Sequence, residues 1–216
     1  MKPKVLLLHG SGTNPLIFQI QSRKLDALLS PHFELVYLTG FHECAAGPGV
    51  LPYFEGAEPY LKWLSDSEVS EEELHWTSGL DRLVNEFEAQ GPFVGVIGFS
   101  QGAKAGMYLT RRLEQEGRAV SFFVSVCGTV PFQGIKDGEK GEKYKQSLEK
   151  GGIVKTESIH VIGTDDPWRV ESEALVDFFA ERTRRVVRCK GGHQMPVEDA
   201  VNKQLAAMML AAYEGF

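Results

Sequence analysis

Gly98-Phe99-Ser100-Gln101-Gly102 is the stretch best suited to chemistry. The apolar, β-branched run before it, Val94 to Ile97, reads as a buried strand, and Lys104 to Glu116 after it reads as a helix. G-x-S-x-G between a strand and a helix is a turn sharp enough to lift a serine hydroxyl off the sheet edge. The flanking glycines let strand and helix approach each other. Ser100 is therefore the candidate nucleophile. A serine hydroxyl is a weak nucleophile at neutral pH and needs a base, which must itself be oriented by a third group. Two later stretches supply candidates: Ile162-Gly163-Thr164-Asp165-Asp166-Pro167 and Cys189-Lys190-Gly191-Gly192-His193-Gln194. Each follows a strand-like run, so an aspartate of the Asp165-Asp166 pair and His193 are expected at the same sheet edge as Ser100.

The elements that must position these groups follow from the periodicity. Lys4 to Leu8 reads as a first strand, running into His9-Gly10-Ser11-Gly12-Thr13-Asn14 and then a helix from Pro15 to Leu29. Phe33 to Leu38 is a second strand, a helix ends near Gln90, and Phe93 to Gly98 is the strand before the elbow. Val120 to Val126, Ser158 to Ile162 and Arg184 to Cys189 complete six strands, with helices through Val170 to Phe179 and Val197 to Glu214. Strands with helical crossovers imply an α/β fold, a doubly wound, mostly parallel six-stranded sheet with helices on both faces. If the chain reverses after the second strand, the order is 2-1-3-4-5-6. The loop after strand one then lies beside Ser100, at the switch point where ligands bind in open sheets.

Length and composition narrow the class. The 216 residues are 43% hydrophobic and 24% charged and have no linker-like stretch, so one domain, 1–216, is expected. No run approaches a membrane span, and the apolar Val5 to Leu8 run is too short for a signal peptide, so neither a membrane nor secretion is expected. Cys44, Cys127 and Cys189 lack disulfide-framework or metal-cluster spacing, which fits the cytoplasm and predicts no metal. A net charge of −6 without a concentrated basic run argues against nucleic-acid partners. Gly10-Ser11-Gly12 begins like a dinucleotide loop, but Pro15 stands where the third glycine would be and no ribose-binding acid follows the second strand. No cofactor is expected. His9 reads as a structural residue at a strand end, and only His42 among the remaining histidines outside the site falls in a candidate site wall.

The motifs together bear a family resemblance. His9-Gly10-Ser11-Gly12-Thr13-Asn14 with Ile17, Phe18 and Gln21, then Gly47-Pro48-Gly49-Val50, the Gly98 to Gly102 elbow, Gly163-Thr164-Asp165-Asp166-Pro167-Trp168-Arg169 and Gly191-Gly192-His193 resemble the fungal serine hydrolases, the FSH-type branch of the α/β-hydrolases. The chain order Ser, Asp, His is the order of that superfamily. The resemblance covers nearly the whole chain, and Gly40-Phe41-His42-Glu43-Cys44 departs from it. It implies an α/β-hydrolase fold without the N-terminal hairpin, a Ser100, Asp166, His193 triad, and Asp165 as a turn cap. The oxyanion hole would use the backbone N–H groups of Gln101 and Ser11, with Gly12 as a substitute for Ser11. The implied activity is hydrolysis of an apolar acyl ester or thioester in polyketide metabolism. The small-molecule substrate could be presented by an acyl-carrier protein of a polyketide synthase. Acyl transfer or cyclisation by the same triad, and a non-catalytic binding protein on this fold, are the alternatives. Two irregular stretches, 39–65 and 127–152, should form the lid and pocket walls, with Phe41, Tyr53, Phe54 and Phe132 as an aromatic lining.

Overall fold

Alternation along the first strand divides the molecule into two cores. In β1 (Lys4–Leu8) the side chains of Leu6 and Leu8 enter one apolar cluster while Val5 and Leu7 enter the other, as the two-residue period of a strand requires. The structure, a computed structural model, describes residues 1–65, 76, 78–130, 149 and 152–215.

α1 (Pro15–Leu29) follows β1, with the Asn14 side chain accepting the Ile17 N–H at 2.9 Å and Pro15 pre-set in the first turn. β2 (Glu34–Leu38) pairs parallel to β1. Two short strands, β3 (His42–Glu43) and β4 (Leu61–Lys62), then form an antiparallel ribbon. It lies in the stretch expected to be irregular, and two-residue strands are too short to carry a readable period. α2 (Ser78–Gln90), β5 (Phe93–Phe99), α3 (Gln101–Gln115) and β6 (Phe122–Val126) come next. β7 (Glu157–Gly163), α4 (Arg169–Val176), β8 (Arg184–Cys189) and α5 (Asp199–Glu214) complete the chain.

The six long strands are all parallel, in the order β2-β1-β5-β6-β7-β8, which is the expected doubly wound order with the reversal between β1 and β5. One core holds Leu83, Phe87, Leu109, Leu113 and Leu175 from α2, α3 and α4 against Leu6, Val96 and Phe123. The other holds Phe18, Leu25 and Leu29 of α1 with Val201, Leu205 and Met209 of α5 against Val5, Ile97 and Val124. Helices thus cover both faces, and the strand ends are left to carry the loops. Among the described residues, no helix is long and apolar enough to cross a membrane.

Candidate active site

α3 begins at Gln101, three residues earlier than the sequence suggests. The serine carbonyl already accepts the Ala103 N–H at 3.0 Å, so the helix starts directly after the elbow despite Gly102. A Cβ on Gly102 would lie 2.1 Å from the Leu8 carbonyl oxygen, and one on Gly98 would lie 2.4 Å from the Gly102 carbonyl oxygen. Only hydrogen fits at either place. Between them Ser100 takes φ 54° and ψ −120°, a conformation that costs a non-glycine residue about 1–3 kcal/mol. Its N–H donates to the Val126 carbonyl at 3.0 Å, which ties the elbow to β6.

The loops after β7 and β8 meet beside this turn. The Thr164 N–H donates to the Cys189 carbonyl and the Asp165 N–H to the Gly191 carbonyl, each at 2.9 Å. A Cβ on Gly163 would lie 2.6 Å from the Gly192 carbonyl oxygen, so glycine is what lets the two loops touch. His193 Nδ1 lies 3.0 and 3.1 Å from the two carboxylate oxygens of Asp166, and His193 Nε2 lies 2.9 Å from Ser100 Oγ. An ionised carboxylate only accepts, so Nδ1–H is the donor there, and Nε2 is left to accept the Ser100 hydroxyl. The Asp166 side chain is fully buried, and the ring of His193 is 18% exposed between Phe99 and Trp168, whose ring centroids are 5.1 and 4.6 Å away. Burial alone would raise the Asp166 pKa. Hydrogen bonds from His193 and from the Trp168 N–H at 2.8 Å outweigh it and hold the carboxyl below its ordinary range. Asp165 is exposed, and its side chain takes only a 3.5 Å contact from the Thr164 hydroxyl.

The loop after β1 closes the other side. The Gly12 N–H donates to the Leu61 carbonyl at 2.9 Å, so Gly12 cannot stand in for Ser11 as an anion donor. Gln101 is the first residue of α3, where an N–H has no partner within the helix. Ser11, Gln101, Ser100 and His193 line one cleft of about 760 Å³. The Gln101 side chain, which the sequence gives no reason to single out, accepts the Trp63 N–H at 2.8 Å, and Trp63 Nε1–H donates to the His9 carbonyl at 2.7 Å. His9 itself is buried: its Nδ1–H donates to the Gly10 carbonyl at 2.8 Å and its Nε2 accepts the Gly40 N–H at 3.0 Å. Burial pushes its pKa down to about 4, against the Gly10 bond, so it is a neutral scaffold beneath the loop. His42 lies in β3 and does not line the cleft.

The aromatic lining is where sequence reasoning fails. Phe41 packs edge-on to Trp63 at 5.3 Å with the Arg82 guanidinium 4.3 Å from its ring centre, and it does not line the cleft. Tyr53 is 85% exposed and also lies outside it. Phe54 packs against a small cluster of Ile17, Val50 and Tyr60, because the loop must bury its own apolar residues against α1. Phe132 falls outside the described residues. The cleft is lined instead by Val50, Leu64, Phe99, Val130, Trp168 and Met195 together with Gln21, Arg23, Lys62, Lys104 and Glu171, a wall more polar than expected. Parts of both irregular stretches do contribute, through Cys44 to Val50, Lys62 and Leu64, and through Thr129 and Val130.

Comparison with known proteins agrees with this geometry. The family model described as Serine hydrolase (FSH1) matches residues 1–205. The chain is 36% identical to "Esterase FUS5" of Gibberella moniliformis over 220 residues, covering 98% of this chain and 88% of that one. It is 29% identical to the "Dihydromonacolin L-[lovastatin nonaketide synthase] thioesterase" of Aspergillus terreus over 225 residues, covering 90% and 86%. Among solved structures, the crystal structure of esterase PE8 superposes with a TM-score of 0.64 at 19% identity, covering 98% of this chain and 93% of that one, which is a likeness of fold.

Proposed function

The chain belongs to the FSH1 serine hydrolase family, and from that premise we propose that it hydrolyses an acyl ester or thioester through an acyl-enzyme on Ser100. The observation that carries this is the unbroken chain of hydrogen bonds from Ser100 Oγ through His193 to the buried Asp166 carboxylate. His193 Nε2 takes the hydroxyl proton as Ser100 Oγ attacks the acyl carbonyl, and Asp166 holds the tautomer and stabilises the imidazolium that forms. The N–H groups of Gln101 and Ser11 receive the oxyanion. His193 then protonates the leaving alcohol or thiol, and a water deprotonated by the same nitrogen releases the acid and regenerates Ser100.

The relatives named as an esterase and as a polyketide synthase thioesterase support a polyketide-like acyl group. The mixed wall supports an acyl chain that carries oxygen functions along an apolar backbone. We propose an acyl-carrier protein as the presenting partner for a thioester substrate. A family match reaching from β1 past β8 supports one domain, and three free cysteines support a reducing compartment such as the cytoplasm. The test is turnover of a panel of acyl esters of one alcohol and the matching thioesters by wild type and Ser100→Ala. Hydrolysis by wild type and its loss in the variant are expected. Equal turnover by both would overturn the reading.

A further inference from the structure

The two N–H groups assigned to the oxyanion stand on separate loops, Ser11 after β1 and Gln101 after β5. The β1–β5 pairing ends at Leu8 and Gly98, so both donors lie beyond the last ladder bond of the sheet. What spans the gap is β4 and the residue after it. Leu61 faces the first loop, its N–H donating to the Thr13 carbonyl at 2.7 Å and its carbonyl accepting the Gly12 N–H at 2.9 Å. Lys62 faces the other way, its carbonyl accepting the Phe41 N–H at 2.9 Å beside β3. Trp63 turns back again, past the last β3 pair, and its N–H donates to the Gln101 side-chain oxygen at 2.8 Å. Trp63 is fully buried, and its Nε1–H donates to the His9 carbonyl at 2.7 Å, at the root of the first loop.

We infer that the Gln101 side chain is a positioning residue of the hydrolytic site. Through Trp63 and β4 it holds the loop bearing the Ser11 N–H at a set distance from the helix end bearing its own N–H, and so fixes the width of the oxyanion hole. The chemistry demands such a brace, because both donors must lie about 2.7–3.1 Å from one developing oxygen. Gln101 thereby acts twice: its backbone N–H, unpartnered at a helix start, is a donor, and its side chain sets where that donor stands relative to the other. A side chain without an acceptor would leave the buried Trp63 N–H unpaired, and the segment would shift to satisfy it. The hydrogen bonds that join Ser100, His193 and Asp166 share no residue with this run, so the brace can be loosened while the base keeps its partners.

The role of this brace rests on the proposed hydrolase reading and its oxyanion donors, and the experiment keeps the two apart. Wild type is first treated with a fluorophosphonate. If Ser100 is not labelled, the hydrolase reading fails and the inference falls with it. Gln101→Met keeps the length of the side chain and removes its acceptor. It is expected to lower kcat about tenfold with KM unchanged, a part of the roughly 10²–10³-fold that loss of a whole donor costs. The acid limb of its pH–rate profile should stay in place. Inhibition by a trifluoromethyl ketone, which adds to a serine to form an oxyanion, should weaken by the same factor, while inhibition by the corresponding alcohol, which forms none, should not change. Trp63→Phe removes the anchor to His9 and should act in the same direction by a smaller factor. The double variant should lose no more than Gln101→Met alone, since the two residues act through one brace. Wild-type kcat and ketone affinity in Gln101→Met would overturn the inference, as would a loss accompanied by a shifted acid limb, or losses that multiply in the double variant. Should Gln101→Met fail to fold, Trp63→Phe decides alone, and wild-type ketone affinity there would overturn the inference.

Discussion

Two cavities of similar size open at opposite edges of one sheet. The cleft at the carboxyl ends of the strands has about 760 Å³ and holds Ser100 and His193. The other, of about 660 Å³, lies at the amino ends between the starts of β6, β7 and β8 and the end of α5, and is lined by Val120, Ile159, Met208 and Ala212 among others. The second is the more apolar, yet nothing in it is arranged for chemistry. One of its two carboxylates, Glu114, accepts the Lys155 N–H and the Thr156 hydroxyl, each at 2.7 Å, and so pins one strand start. Both positive-φ non-glycine residues among those described, and the close backbone approaches at Gly98, Gly102 and Gly163, lie at the carboxyl edge. In a parallel sheet the loops that follow the strands are free to carry function, while the amino edge serves stability. Backbone strain and converging donors mark the site, whereas volume and apolarity do not.

Breaking the carboxyl edge should therefore cost far more than disturbing the amino edge. The largest effect is expected for Asp166→Asn, about 10⁴-fold in kcat because the wrong imidazole tautomer is favoured. Asp165→Asn should stay within a few-fold, and steady-state kinetics of the pair checks the assignment of the acid. Gly47→Ala comes next. The Gly47 N–H donates to the Gly12 carbonyl at 2.9 Å, and a Cβ on Gly47 would lie 2.6 Å from the Ser11 carbonyl oxygen. Displacing Ser11 should cost on the order of 10²-fold in kcat, as loss of an oxyanion donor does. Phosphonate labelling should persist.

A smaller contrast separates buried histidines. His160 lies fully inside the core against Phe123 and Phe179, and burial with the Arg184 charge lowers its pKa to about 3. The unfolded chain takes up its proton below a pH of about 6.5, so stability is complete above that pH and falls by up to about 1.4 kcal/mol per unit until the folded pKa is reached. His9 adds a similar slope that ends near pH 4. Melting temperature against pH should flatten in His160→Leu with kcat unchanged at pH 8. A fall in kcat there would tie the core histidine to the site. The smallest effect is expected for Ala212→Leu, which fills the amino-edge cavity. Its kcat/KM should stay within twofold of wild type, and a tenfold change would dissolve the contrast between the two edges.

The meeting of Ser100, Asp166 and His193 was legible because three loop ends carry distinctive residues in one chain order, and periodicity placed all three at the same edge. The strand order was legible for the same reason: long buried strands such as Phe93–Phe99 declare themselves by composition. Ring direction did not. Phe41, Tyr53 and Phe54 lie in a stretch without a regular period, and nothing in their spacing says whether a ring faces cleft, core or solvent. Gln101 was hidden for a different reason. The partner that gives its side chain a role, Trp63, is distant in sequence, and a single glutamine carries no pattern of its own.

If Ser100 is the nucleophile of a serine hydrolase, peptide mass spectrometry after fluorophosphonate treatment should map one adduct per chain to Ser100 of the wild type, slowed in Asp166→Asn and absent from Ser100→Ala. An adduct that persists on Ser100→Ala, or that maps to another residue of the wild type, would contradict it.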